Sequence, residues 1–246
     1  MPADLFATAR TRTRRERGAV LLVDDPVDVP RREWLRQHLA GRVRVLDMAP
    51  RADDPARAED LRELVDLLGA DLVRRPAGTA EAAARSADDG ETLLVALEGT
   101  TCGGWARRAT RGPTLRLPSS GPLLRSAGPR AVVVVHDAAE LAPLVPWARL
   151  LAPDVEVALI GVLAADADAP GRVLADATAL EAAVEVSRAA LASDGRRVSC
   201  SVVVDEAPAL DDASLVLTVE RRGLLGRLLG RPAAVGRPRL LVPWPS

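Results

Sequence analysis

"PRAVVVVHD", Pro129 to Asp137, is an unbroken run of β-branched residues ending in a carboxylate. A strand with one face in water would alternate polar and apolar residues, so this one belongs inside a parallel sheet, covered on both faces. The same pattern occurs earlier as "RGAVLLVDD", Arg17 to Asp25. Asp24 and Asp137 stand about 113 positions apart, and Trp34 and Trp147 share that spacing. The text after each tryptophan also matches, "WLRQHLAGRVRV" against "WARLLAPDVEV" with one deletion. Both halves close alike, on "RGPTLRLPSS" and on "VGRPRLLVPWPS". Four matches in one order predict a tandem duplication. The chain then divides into a basic N-terminal arm over 1–17, a first domain over 18–118, a linker over 119–129 and a second domain over 130–246.

Strand and helix patterns alternate within each half. The first half reads as strands over about 19–24, 42–47, 70–75, 92–97 and 114–117, with helices over about 31–40, 56–69 and 78–88. Leu61, Leu64, Val65 and Leu68 share one face of the second of these helices. The second half reads as strands over about 131–136, 155–163, 197–204, 214–218 and 239–242. Its clearest helix is "LADATALEAAVEVSRAALASDG", with Asp176 or Thr178 as the expected cap and Gly195 as the stop. Only a short stretch separates "SCSVVVDE" from "SLVLTVE", too little for a helix, so this half is expected to lack one crossover helix, with an antiparallel or irregular join. The predicted class is α/β: two doubly wound, five-stranded, mostly parallel sheets.

Composition excludes several chemistries. The 246 residues carry a net charge of −1, which gives no general attraction to nucleic acid or anionic lipid. Neither partner is expected. The sequence contains no Lys, Asn or Tyr, a bias expected of a GC-rich bacterial genome. Without lysine there is no Walker-type phosphate lysine and no Schiff base. "VLLVDD" resembles the opening of a response-regulator receiver, but "DLVRRP" offers no phosphorylatable aspartate after the third strand. Cys102 and Cys200 lie far apart, and His38 and His136 are the only histidines, so no metal-ligand spacing occurs. No secretory or membrane-spanning pattern is read, so a cytoplasmic location is expected. The N-terminal "RTRTRRERG" reads as a solvated arm, since no aromatic residues interleave its arginines.

In doubly wound sheets ligands sit beyond the carboxyl ends of the strands, where the strand order reverses. Asp24 or Asp25, and Asp137, end the first strand of each half and point there. Two readings of Asp137 are open: it caps the helix that begins at "AAELAPLVPW", the plainer role, or it accepts hydrogen bonds from a nucleotide.

A first strand ending in Asp, five strands, and the Gly-rich "RRGLLGRLLGR" leading into "RLLVPW" together resemble the universal stress protein family. The resemblance covers most of the second half and, more weakly, the first. It implies a five-stranded parallel sheet, a tendency to dimerise, and in many members an ATP cradle of the form G-x2-G-x9-G-[S/T]. Two alignments of that motif stay open. Counted literally, Gly223, Gly226 and Gly236 fit it, with Arg237 in the Ser/Thr place. Matched by wording, Gly230 is the last glycine, Arg231 is the departure, and the first two positions fall on Leu217 and Glu220. On the second alignment Leu217 resists the close approach of a phosphate and Glu220 repels its charge. The candidate nucleotide-binding residues are therefore Asp137, Gly223, Gly226, Arg227, Gly230 and Arg231.

The resulting expectation is a non-catalytic universal-stress-protein-like chain that acts in stress response or regulation through protein interaction. Its two halves would form an intrachain pseudo-dimer, with a homodimer and an unknown protein partner as further expectations. No cofactor is expected. The alternative is a regulatory switch that binds ATP or another adenine nucleotide through Asp137 and the Gly/Arg-rich loop.

Overall fold

All residues of Ala19–Val23 (β1) and Leu93–Leu97 (β4) are buried, as is Arg130–Val135 (β6) beyond its first residue, the pattern of strands covered on both faces. A computed structural model describes residues 18–39, 43–48, 54–73, 90–108, 111–121, 123, 128–165, 170–220 and 237–244. The basic arm over 1–17, the expected helix over 78–88 and all of "RRGLLGRLLGR" lie outside the described residues.

The first half continues with α1 (Val29–His38), β2 (Val43–Asp47), α2 (Pro55–Leu68), β3 (Asp71–Val73), α3 (Thr101–Arg108) and β5 (Thr114–Leu117). The second half adds α4 (Leu141–Ala148), β7 (Glu156–Leu163), α5 (Pro170–Ser193), β8 (Val198–Val204), β9 (Leu215–Glu220) and β10 (Arg239–Pro243). Local chemistry sets the helix ends. Asp28 and Asp54 accept the Arg31 and Ala56 amides as N-caps, and Gly69 closes α2 at φ 57°, where a side chain is disfavoured. As the spacing predicts, Leu61 and Leu64 of α2 are buried, and Val65 and Leu68 pack against the same core.

The strands form one sheet of ten, in the order β3-β2-β1-β4-β5-β10-β9-β6-β7-β8. This corrects the expectation of two separate five-stranded sheets. Each half keeps the same internal order, with its first strand between its second and fourth. The halves join where β5 and β10 run antiparallel, pairing Thr114 with Leu241, Leu115 with Leu240 and Arg116 with Arg239. The other pairings in the sheet are parallel. The physical reason for the merger is that β5 and β10 would otherwise each present a row of unpaired amides and carbonyls.

Helices α1, α2, α4 and α5 share one face. Leu35, Leu64, Leu144 and Leu180 from these helices meet Leu21, Val133 and Leu217 of the strands in a core that crosses both halves. On the other face α3 lays Cys102 and Ala106 over Val20, Leu22 and Leu94. Among the described residues no helix joins β8 to β9. The 205–214 connection crosses that face instead, with Ala213 and Leu210 over Val132, Val134 and Ile160. The missing crossover helix is as expected, but the antiparallel option is corrected, because β9 runs parallel to β6, β6 to β7 and β7 to β8. Two local expectations also change. Helix α5 starts at Pro170, so Asp176 and Thr178 lie inside it and cap nothing; Thr178 Oγ1 bonds back to the Leu174 carbonyl at 2.9 Å. Gly195, at φ 79°, follows the helix end as expected.

Candidate functional site

Strand order reverses between β1 and β4 in the first half and between β6 and β9 in the second, so each half has a switch point at the carboxyl ends of its central strands. In the first half that place is wired shut by the chain's own groups. Asp24 follows β1, and its Oδ2 accepts the Cys102 amide, in the first turn of α3, at 2.9 Å. Thr100 Oγ1 accepts the Gly103 amide at 3.1 Å and donates to the Leu97 carbonyl at 2.9 Å. A bound anion would look for free amides at such a helix start, and here a carboxylate and a hydroxyl already hold two of them. Gly103 allows the close approach: a Cβ there would lie 2.2 Å from the Leu97 carbonyl oxygen.

Arg57, from the first turn of α2, ties the neighbouring strand ends together. It donates to the Asp24 and Val23 carbonyls at 3.0 Å and to Asp47 Oδ1 at 2.7 Å. Both terminal nitrogens are held by internal acceptors and Nε is buried without one, so the group is turned inward. Cys102 is fully buried, and burial together with the adjacent Asp24 carboxylate drives its thiol far above the usual range. A protonated, enclosed thiol is no nucleophile.

In the second half Asp137 follows β6 and its Oδ1 accepts the Ala139 amide at 2.8 Å, capping the short turn Ala138–Glu140. The capping role is thus the one the described residues display. Buried Glu140 accepts the His136 amide at 2.7 Å, and His136 Nδ1 lies 3.2 Å from the Val162 carbonyl. Gly223, Gly226, Arg227, Gly230 and Arg231 lie outside the described residues, so Asp137 is the described member of the predicted set. Leu217 is fully buried within β9 and Glu220 ends that strand, so neither belongs to a loop. Glu220 also lies 3.8 Å from Arg116 across the seam between the halves.

A third cluster, at the joint between the halves, has no motif to announce it. Trp34 and His38 of α1 stack with ring centroids 4.0 Å apart and 9° between planes. Trp34 Nε1 donates to the Ser214 carbonyl at 3.2 Å, and His38 Nε2 lies 2.6 Å from Ser214 Oγ. The Trp34 carbonyl lies 2.9 Å from His38 Nδ1, and Ser214 Oγ also accepts the Arg130 amide and donates to the Arg130 carbonyl, each at 2.9 Å, so the hydroxyl links the ring to the start of β6. Burial pushes the imidazole down to about 4, so it is neutral near pH 7. Trp34 and Trp147 are both buried.

Among the described residues no group of His, Cys, Asp and Glu could hold a metal ion, and no helix is long and apolar enough to cross a membrane. Fold and geometry together define an α/β protein with a large, mostly parallel sheet and, in the first half, an internally capped switch point. No protein-family model and no curated protein matches the chain. Among solved structures it is similar to the crystal structure of the cytoplasmic domain of a prokaryotic cation chloride cotransporter. The TM-score is 0.54 over 92% of this chain and 94% of that one, at 14% identity. At that identity the likeness establishes the shared fold.

Proposed function

We propose that this chain works by interaction and not by catalysis, as a two-lobed regulatory module of the universal-stress-protein kind without a working nucleotide cradle. The carrying observation is the Asp24 carboxylate on the Cys102 amide, which fills the anion position of the first switch point. The self-capping of Asp137 supports the same reading for the second half. The antiparallel β5–β10 seam supports treating the two halves as an intrachain pair, the arrangement that separate subunits would otherwise reach by dimerising. The test is calorimetric titration of the full chain with ATP, alongside analysis of nucleotide released from denatured protein. No binding at millimolar ATP is expected. Micromolar binding abolished by Asp137→Ala would instead establish the adenine-nucleotide switch.

A second reading rests on the likeness to a transporter's cytoplasmic domain, which spans nearly the whole of both chains. On that reading the module serves a membrane transport protein from its cytoplasmic side. Fractionation of native cells tests it: the chain sediments with membranes under this reading and stays in the supernatant if it is wrong.

A further inference from the structure

The two outer strands of the sheet are built differently. β3, described over Asp71–Val73, starts on a carboxylate, and charged edges of that kind resist pairing with another chain. β8 has seven residues, VSCSVVV, with no charge and no proline, and pairs with β7 alone among the described strands. Its Ser199, Cys200, Ser201 and Val204 are exposed. We infer that β8 is a self-association edge, pairing antiparallel with β8 of a second copy about a two-fold axis at Ser201 and continuing the sheet across the dimer.

Main-chain direction fixes which residues face outward. The Arg197 carbonyl accepts from Val157 and the Asp205 amide donates to Leu163, each at 2.9 Å, so odd-numbered positions bond inward to β7. Val198, Cys200, Val202 and Val204 therefore aim their amides and carbonyls away from the sheet. Pairing about Ser201 sets Val198 opposite Val204 of the second copy, and Cys200 opposite its Val202. Each outward-facing residue then meets another outward-facing residue, as an antiparallel ladder requires. A register slipped by one residue would oppose outward groups to inward ones.

Charge selects the second copy as the occupant. Arg196 and Arg197 precede the strand, and Asp205 and Glu206 follow it. In the antiparallel pairing Arg197 lies opposite Asp205 of the second copy, and Arg196 opposite its Glu206, at both ends of the interface. Arg196 has both terminal nitrogens on the Arg149, Leu151 and Ala152 carbonyls, whereas exposed Arg197 gives one to the Asp154 carbonyl and exposed Asp205 gives Oδ1 to the Ala165 amide, so each keeps further polar atoms for an Arg197–Asp205 pair that chooses the partner. A parallel arrangement would set like charges together at both ends. Above the axis, Cys200 Sγ lies 3.5 Å from Glu185 Oε2, and Glu185 pairs with Arg188. Two copies of α5 would therefore meet there through an acid and a base from each.

The test uses the full chain. Light scattering at tens of micromolar is expected to give twice the 26.0 kDa chain mass. In a Cys200→Ser background, Ser201→Cys should oxidise rapidly to a cross-linked dimer. Directly opposed, non-hydrogen-bonded residues stand about 4.5 Å apart at Cα, within disulfide reach. Ser199→Cys, opposite Val203 of the second copy, should not cross-link. Cys200→Pro removes outward donors without touching the β7 ladder and should abolish the dimer. Arg197→Glu, which leaves the strand sequence intact, should weaken it roughly tenfold. A monomer at these concentrations overturns the inference. So does a dimer in which Ser201→Cys and Ser199→Cys cross-link alike, or one indifferent to both Cys200→Pro and Arg197→Glu. The inference is independent of the nucleotide question: a chain that binds ATP yet dimerises through β8 keeps this proposal and loses the other.

Discussion

His38 and Ser214 meet across the joint between the halves, imidazole Nε2 to hydroxyl Oγ at 2.6 Å, with both residues buried. The position equivalent to His38 in the second half is Leu151, and the two segments touch where the Ala152 amide donates to the His38 carbonyl at 2.8 Å. One side of the joint is thus apolar and the other carries a titratable ring, so the two sides respond differently to acid.

The fold holds His38 at about 4, below its ordinary value of 6.5, because burial disfavours the cation. The unfolded chain therefore binds the proton first as the pH falls. The stability that the neutral ring secures is complete above about pH 6.5 and declines as the pH drops toward 4, with a total loss of roughly 3 kcal/mol. Glu33, held down to about 2 chiefly by its bond to Arg36, begins to cost stability only as the pH falls through the unfolded carboxylate value of 4.5, so it touches just the acid end of this window. Urea midpoints measured from pH 7 to 4 should fall for the native chain. They should stay nearly level over the same range for His38→Leu, which installs the residue found at the equivalent position.

Two neighbouring glycines of α3 should respond in opposite ways to alanine. A Cβ at Gly103 collides with the Leu97 carbonyl at 2.2 Å, so α3 would have to lift from β4. A loss of about 2–4 kcal/mol is expected for Gly103→Ala. At Gly104 nothing lies within 4 Å, and alanine's better helix propensity should leave stability unchanged or raised by up to about 1 kcal/mol. Denaturant unfolding of the two variants side by side checks both. Equal effects would mean that α3 does not lie against β4 as described.

The features legible in the sequence were those carried by local periodicity. β1 and β6 announce themselves because residues buried on both faces leave no polar positions. α2 is plain because its leucines recur on one side. The merger of the sheets was not legible. "TLRL" and "RLLVP" each place an arginine in the strand, and nothing within either one names the other as its partner. The start of α5 was missed because alanines surround that helix and give no sided pattern, while Pro170 and Gly171 read as a turn. At the candidate site, the carboxylates ending the first strands were placed correctly at the switch points. The partner of Asp24 was hidden, because it is a backbone amide that lies 78 residues along the chain.

The two cysteines should differ sharply toward a thiol reagent. Cys102 is fully enclosed and Cys200 is exposed on β8. Burial and the neighbouring Glu185 raise the Cys200 thiol, so its reaction should be slow at neutral pH and accelerate in base. One thiol per chain is expected to react in the native protein and both after denaturation. Two native thiols would show that α3 opens readily from the sheet.

The last prediction concerns Asp24 itself. Asp24→Ala removes the carboxylate from the Cys102 amide and leaves that donor at a helix start without its acceptor. A capping aspartate of this kind contributes about 1 kcal/mol, and partial enclosure of the site argues for the upper part of the 0.5–2 kcal/mol range. Loss of the adjacent negative charge should also lower the Cys102 thiol, since Asp24 is among the groups that raise it. Reduced denaturation midpoints together with faster Cys102 labelling would establish the contact. Asp24→Asn keeps an oxygen acceptor but not the charge, so it should recover part of the stability while leaving the thiol lowered. A stability loss equal to that of Asp24→Ala would mean that charge, not the hydrogen bond, holds α3 in place.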